Sequence, residues 1–167
     1  RQAIAKQHYD WAVWIDADAI IIDSTIKLES IISRSPDKLV IACRGGNNGE
    51  SDINNGIFML NLRHPRVREL VEYCIQHCER LSCEEGGFRC DQHAMQTWLS
   101  LNSDQNGHIA LLHRYDGDDY NLFNYDGTFI RHVLRVHGTL DQRVTELRRL
   151  VNCNATKPTK QIGRAHV

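Results

Sequence analysis

No stretch of this chain approaches the roughly 20 consecutive apolar residues that would span a bilayer. No succession of charged, apolar and small residues resembles a secretory signal either. Neither acid nor base predominates: 20 Lys and Arg stand against 21 Asp and Glu, a net charge of −1, and the two signs are interspersed. A basic footprint for nucleic acid or an anionic membrane is therefore excluded, and small-molecule chemistry becomes the better expectation. The six cysteines include no CxxC pair, which argues against a structural zinc site. Internal repeats and low-complexity segments are also lacking.

What is present suits a single core. The 167 residues are 41% hydrophobic and 25% charged, the balance of one globular domain or part of one. The chain opens on Arg1 and runs straight into a helix-like segment, so the protein is expected to continue upstream, taking any targeting segment with it. The closing run Ile162-Gly163-Arg164-Ala165-His166-Val167 is what a widely used sequencing-library adapter encodes, and residues 162–167 are set aside as an artefact of that kind. A source transcript encoding the same six residues inside a longer frame would refute this. Cys83 and Cys90 flank the Gly86-Gly87 turn at a spacing that a local disulfide could close, while Cys74 and Cys78 lie on one helix. Buried thiols are the equal alternative, because connectivity cannot be read from spacing. Asn154-Ala155-Thr156 is a glycosylation sequon, consistent with a lumenal setting.

Periodicity predicts alternating strands and helices. Residues 2–9 read as the end of a helix. Residues 11–22 form a dense apolar run broken only by Asp16 and Asp18, which predicts a buried strand ending at its carboxylates. A short helix is expected over 24–32, a strand over 39–43, a Gly- and Asn-rich loop over 45–49, and a third strand over 57–62 opened by Asn54-Asn55-Gly56. Apolar positions Leu70, Val71, Cys74, Ile75 and Cys78 recur at helical spacing and predict about three turns from residue 67. A second helix over 91–101, strands over 109–112 and 133–136, a polar and aromatic loop over 115–127, and a helix over 139–151 complete the reading. From Asn152 onward the chain reads as a loosely held tail. The fold class is α/β, a mixed sheet in which ligands sit beyond the carboxyl ends of strands.

The chemistry centres on Asp16-Ala17-Asp18. Two aspartates one residue apart at a strand end repel each other in low dielectric, and a divalent cation removes that cost. Hard oxygen ligands suit Mg²⁺ or Mn²⁺, which can also hold diphosphate oxygens and act as a Lewis acid on a leaving group. A turn carboxylate capping the next helix is the bland alternative, a role that Asp23 or Ser24 fills more naturally.

Five segments occur in an order that resembles the retaining GT-A glycosyltransferases: Trp14-Ile15-Asp16-Ala17-Asp18-Ala19, Asn54 to Asn61, Cys90-Asp91-Gln92-His93-Ala94, Tyr120-Asn121 and Val136-His137-Gly138. The nearest resemblance is to the galactosyl-, mannosyl- and xylosyltransferase family of fungal Golgi α-mannosyltransferases and plant xyloglucan xylosyltransferases, with glycogenin-like enzymes close behind. It covers about residues 8–143. It implies a GT-A fold of which residues 1–151 are the C-terminal part, the base-binding part being absent, with 152–161 as tail. It also implies Mn²⁺ or Mg²⁺ held by Asp16, Asp18 and His137, and substrate contacts from Asp16, Asn55, Gly56 and Gly138. Asp91 and Gln92 would stand beside the anomeric carbon, where an acid or amide can stabilise an oxocarbenium-like centre or orient the acceptor. Capping of its own helix is the structural alternative for Asp91.

The family's lysine after the histidine is missing, and Arg143 is the cation available to the diphosphate. The partners implied are a UDP- or GDP-sugar and a glycan or glycoprotein acceptor, with no nucleic acid. Membrane attachment would come only through a segment outside this chain, in a type II protein of the Golgi lumen. The piece itself is expected to be inactive. A non-catalytic binding scaffold is the alternative. A haloacid dehalogenase-type phosphatase, which also ends a strand in Asp-x-Asp, is disfavoured by Ile20 and by the absence of Lys between Lys38 and Lys157.

Overall fold

The computed structural model describes residues 9–45, 53–84, 90–102, 109–113, 122–124, 127–133 and 138–155. Its centre is β3 (Val40–Arg44), a run of β-branched and small apolar residues buried on both faces. Val40 and Ala42 enter one apolar cluster, and Ile41 and Cys43 enter the other. This is the period of two expected of a strand, applied to a strand covered on both sides.

β3 belongs to a four-stranded sheet in the order β1 (Trp11–Ile15), β4 (Ile53–Asn61), β3, β5 (Ala110–His113). β1 and β3 both run antiparallel to β4, while β5 runs parallel to β3. Against one face pack α2 (Val67–Glu84) and α3 (Cys90–Leu101), burying Leu70, Met95, Trp98 and Leu99. The opposite face is covered by α1 (Leu28–Ile32) and a three-stranded sheet ordered β2 (Ala19–Ile21), β7 (Ile130–His132), β6 (Phe123–Asn124), through Phe123, Phe129 and Ile130. The last helix is α4 (Leu140–Ala155), which contacts β2. Among the described residues no helix is long and apolar enough to cross a membrane.

Two polar contacts hold these layers in register. Buried Asn61 closes β4, donating from Nδ2 to the carbonyls of Pro36 (3.0 Å) and Lys38 (3.1 Å) while its Oδ1 accepts from Arg63 N (3.0 Å). Between α2 and α3, the ring of buried His77 stacks on Tyr73 and meets His93, Nε2 to Nδ1, at 2.9 Å.

Several expected boundaries shift. The run over 11–22 is two strands, because Asp16 to Ala19 make a turn closed by Ala19 N donating to Asp16 O (3.0 Å). β1 is not buried: among the described residues it pairs only with β4, and Val13, Trp14 and Ile15 are exposed. Residues 24–26 are turn rather than helix, since the Asp23 carboxylate accepts from Thr25 N and Oγ1 (2.9 and 2.6 Å) and holds the chain in a local loop. Asn54-Asn55-Gly56 lies inside β4 where the β3 register shifts, Ala42 facing Phe58 and Cys43 facing Asn54, so its turn-like composition falls on an irregularity of the ladder rather than on a loop. α2 runs 18 residues, well beyond three turns. α4 continues through Ala155, so the start of the expected tail is helical. β6 falls within the loop expected over 115–127 and β7 precedes the strand expected over 133–136, while residues 115–121, 125–126 and 134–136 of those two segments lie outside the described residues. The helix at 2–8, most of the 45–49 loop, the Cys83 and Cys90 side chains, and residues 156–167 lie outside the described residues. Cys43 and Cys74 are free thiols.

Candidate metal centre

The site is built by strand pairing. Asp16 N donates to Gly56 O (2.8 Å), so the first carboxylate stands where β1 leaves β4. The chain then turns, and Asp18 is fixed from below by Val133 N donating to its carbonyl (2.9 Å). The β2–β7 ladder sets Ala19 opposite His132, which delivers the imidazole beside the turn. His132 Nε2 lies 3.0 Å from Asp18 Oδ1 and 3.8 Å from Asp16 Oδ2. One ligand atom from each of Asp16, Asp18 and His132 can be chosen so that all lie within 4.8 Å of one another. His132 is 7% exposed at its side chain, while Asp18 and Asp16 are 26% and 40% exposed, so the cluster is walled by the ring and open on the carboxylate side.

Around this cluster the neighbours are specific. Trp14 Nε1 donates to Asp16 Oδ1 at 2.8 Å. The guanidinium of Arg143 forms an ion pair with Asp18 Oδ2 through Nη2, and its Nε donates to the carbonyl of Val133 (3.0 Å). Arg143 is presented by the first turn of α4, whose start is a reciprocal cap: Thr139 N donates to Gln142 Oε1 (2.7 Å) and Gln142 N to Thr139 Oγ1 (3.4 Å). Gly138 precedes it at φ 138°, where a side chain would be strained and would meet Gln142.

The donor set fits a hard or borderline divalent cation. Two carboxylates and one imidazole, accessible from one side, match the oxygen preference of Mg²⁺ and Mn²⁺, and the nitrogen favours Mn²⁺ between the two. Ligation requires the His132 proton on Nδ1, leaving Nε2 bare; with the proton on Nε2 the ring instead donates to Asp18.

The expected residues divide into groups. Asp16 and Asp18 are together, and Arg143 joins them, paired with Asp18. Gly56 lies against the His132 ring: a Cβ on Gly56 would fall 2.5 Å from Nδ1. Asn55 and Asp91 meet across a cavity of about 220 Å³ between the sheet and α2–α3, walled by Trp14, Phe58, Leu70 and Met95 among others. Gln92 follows Asp91 in the first turn of α3, where its N–H donates to the Asp91 carboxylate (2.8 Å). His137 lies outside the described residues. His132 was not expected; it follows Arg131 in Phe129-Ile130-Arg131-His132-Val133, a local pattern that does not mark it as a ligand.

No protein-family model matches this chain, and no curated protein does. Among solved structures, the chain is similar to the crystal structure of a glycosyltransferase involved in the glycosylation of the major capsid of PBCV-1. The likeness has a TM-score of 0.58 at 16% identity, covering 88% of this chain and 70% of that one. The chain shares the fold of that neighbour. At this identity the likeness speaks to architecture, and the chemistry rests on the side chains just described.

Proposed function

We propose that this chain carries the cation and sugar site of a metal-dependent, retaining glycosyltransferase that moves a sugar from a UDP- or GDP-sugar to a glycan acceptor. The observation that carries the reading is the convergence of Asp16, Asp18 and His132 at the end of β1, in a chain whose fold is that of a glycosyltransferase. In this reading Asp16, Asp18 and His132 hold Mn²⁺ or Mg²⁺. The cation supplies electrostatic stabilisation of the departing diphosphate.

The remaining work belongs to the chain's own groups. Trp14 fixes the rotamer of Asp16 through its indole N–H. Asn55 and Asp91, facing one cavity, bind the transferred sugar, and the Asp91 carboxylate stabilises positive charge developing at its anomeric carbon. The apolar walls of that cavity exclude water, which favours transfer to the acceptor over hydrolysis. Gln92 stands in the same helical turn to orient the acceptor. The resemblance of the sequence motifs supports a setting in the Golgi lumen, with anchoring outside this chain.

The deciding measurement is Mn²⁺-dependent turnover of UDP-galactose, UDP-glucose, UDP-xylose and GDP-mannose by the full-length protein, beside an Asp18→Asn control. Turnover of one donor that vanishes in the control is the expected result. Metal-independent turnover, or none with any donor in a folded protein, refutes the proposal. Mn²⁺ titration of His132→Gln and His137→Gln tests the third ligand: His132→Gln is expected to weaken binding by on the order of tenfold or more. Loss confined to His137→Gln would move that role to His137.

A further inference from the structure

Asp18 faces two neighbours of different chemistry, an imidazole and a guanidinium. Its Oδ1 is 3.0 Å from His132 Nε2, and its Oδ2 is paired with the Arg143 guanidinium. An imidazole has a ring nitrogen that can serve as a metal ligand, whereas a guanidinium carries only donors and a positive charge. The Arg143 side chain is only 14% exposed, so water screens it poorly. A divalent cation drawn to Asp18 would therefore compete for the same carboxylate and feel the repulsion of a positive charge next to it. Arg143 is also anchored where it stands. Its Nε donates to Val133 O, in the strand segment that carries His132, and the cap formed by Thr139 and Gln142 fixes the turn of α4 from which it projects.

We infer that Arg143 is the counter-ion of the cation-free site, displaced from Asp18 when a divalent cation binds and then available to the oxygens of a diphosphate. This rests on the metal-site reading above and adds a coupling to it. A freed guanidinium beside a dication needs an anion, and a diphosphate offers oxygens in the geometry a planar fork binds best. Cation and diphosphate then load together: each raises the affinity for the other by the same factor. Bare cation is held weakly because Arg143 opposes it, and the cation–diphosphate complex is held tightly because Arg143 changes partner. The same residue thus biases the site against cation without donor.

The test measures Mn²⁺ binding by electron paramagnetic resonance, first alone and then as a preformed complex with inorganic pyrophosphate. It compares the wild type, Arg143→Gln and Arg143→Lys, with thermal melting to verify folding. Arg143→Gln is expected to bind bare Mn²⁺ on the order of tenfold more tightly than wild type and to lose the preference for the complex. Arg143→Lys keeps the charge without the fork; it is expected to bind bare Mn²⁺ as wild type does, with a reduced preference for the complex. Bare Mn²⁺ bound by Arg143→Gln no more tightly than by wild type, with Asp18→Asn abolishing binding in both, overturns the inference and leaves the metal site standing. Absence of Mn²⁺ binding in wild type and Arg143→Gln alike, with or without pyrophosphate, overturns both.

Discussion

The imidazole of His132 lies against the backbone of Gly56, in the space that any side chain at position 56 would fill. The same residue's carbonyl accepts from Asp16 N (2.8 Å), so one glycine both ends the β1–β4 ladder and seats the ring over the carboxylates. Gly56→Ala should push the ring away from Asp18. The expected outcome is a loss of Mn²⁺ affinity on the order of tenfold, with a stability cost of about 1–3 kcal/mol from overpacking. Isothermal titration and a melting curve measure the two effects separately, and an unchanged affinity would show that the ring's seat on Gly56 is irrelevant to the cation.

Trp14 offers a gentler probe. Trp14→Phe keeps an aromatic ring near Phe58, on which Trp14 now stacks with centroids 6.3 Å apart, and removes only the N–H that holds Asp16. A hydrogen bond to a partly exposed carboxylate is worth about 1 kcal/mol net, so Mn²⁺ affinity should fall roughly fivefold with little change in melting temperature. Equal affinities in the two proteins would mean that solvent orients Asp16 as well as the indole does.

Stability should fall as the pH drops below the ordinary histidine range. Burial chiefly, with the charges of His93 and Arg80, holds His77 below its usual value. Burial, with Arg66, does the same to His64. Both groups are preferentially neutral in the folded chain, so the unfolded chain binds more protons between the two pKa values. Their contribution is complete above about pH 6.5 and is lost as pH falls below it, through the depressed folded values. Melting temperatures from pH 8 down to 5 should decline, and His77→Phe, which keeps a ring against Tyr73, should flatten the decline. A slope identical to wild type would assign the effect to other groups.

Local signals and distant pairings were unequally legible in the sequence. Asp16 and Asp18 could be found because a pair of carboxylates inside an apolar run is visible within a few residues. That the strand ends at those carboxylates was legible too, whereas the tight turn that starts β2 at Ala19 was not, since Asp16-Ala17-Asp18-Ala19 contains neither Gly nor Pro. Asn54-Asn55-Gly56 misleads in the opposite sense: its composition says turn, and the chain answers with a register shift inside β4, between the pairs Ala42–Phe58 and Cys43–Asn54, rather than with a loop. α2 outruns its apolar stripe because residues such as Glu79 and Arg80 sustain a helix without being buried. His132 was invisible for a plainer reason, that nothing in its neighbourhood announces a partnership with β2. The role expected of Arg143 depended on its being a cation, while its actual partner depended on where α4 begins.

The pairing of β2 with β7 also bears on the order in which the protein acquires its parts. His132 and Asp18 are 114 positions apart in the chain, and the β2–β7 ladder, with Val133 N donating to Asp18 O beside it, joins the segments that carry them. Contacts so distant close late, after the local helices and the β3–β4 pairing have shortened the effective loop. A ribosome therefore finishes the carboxylates long before it supplies the imidazole and the guanidinium. The cluster of Asp16, Asp18 and His132 is thus completed late, and until β7 is made the two aspartates stand without the imidazole.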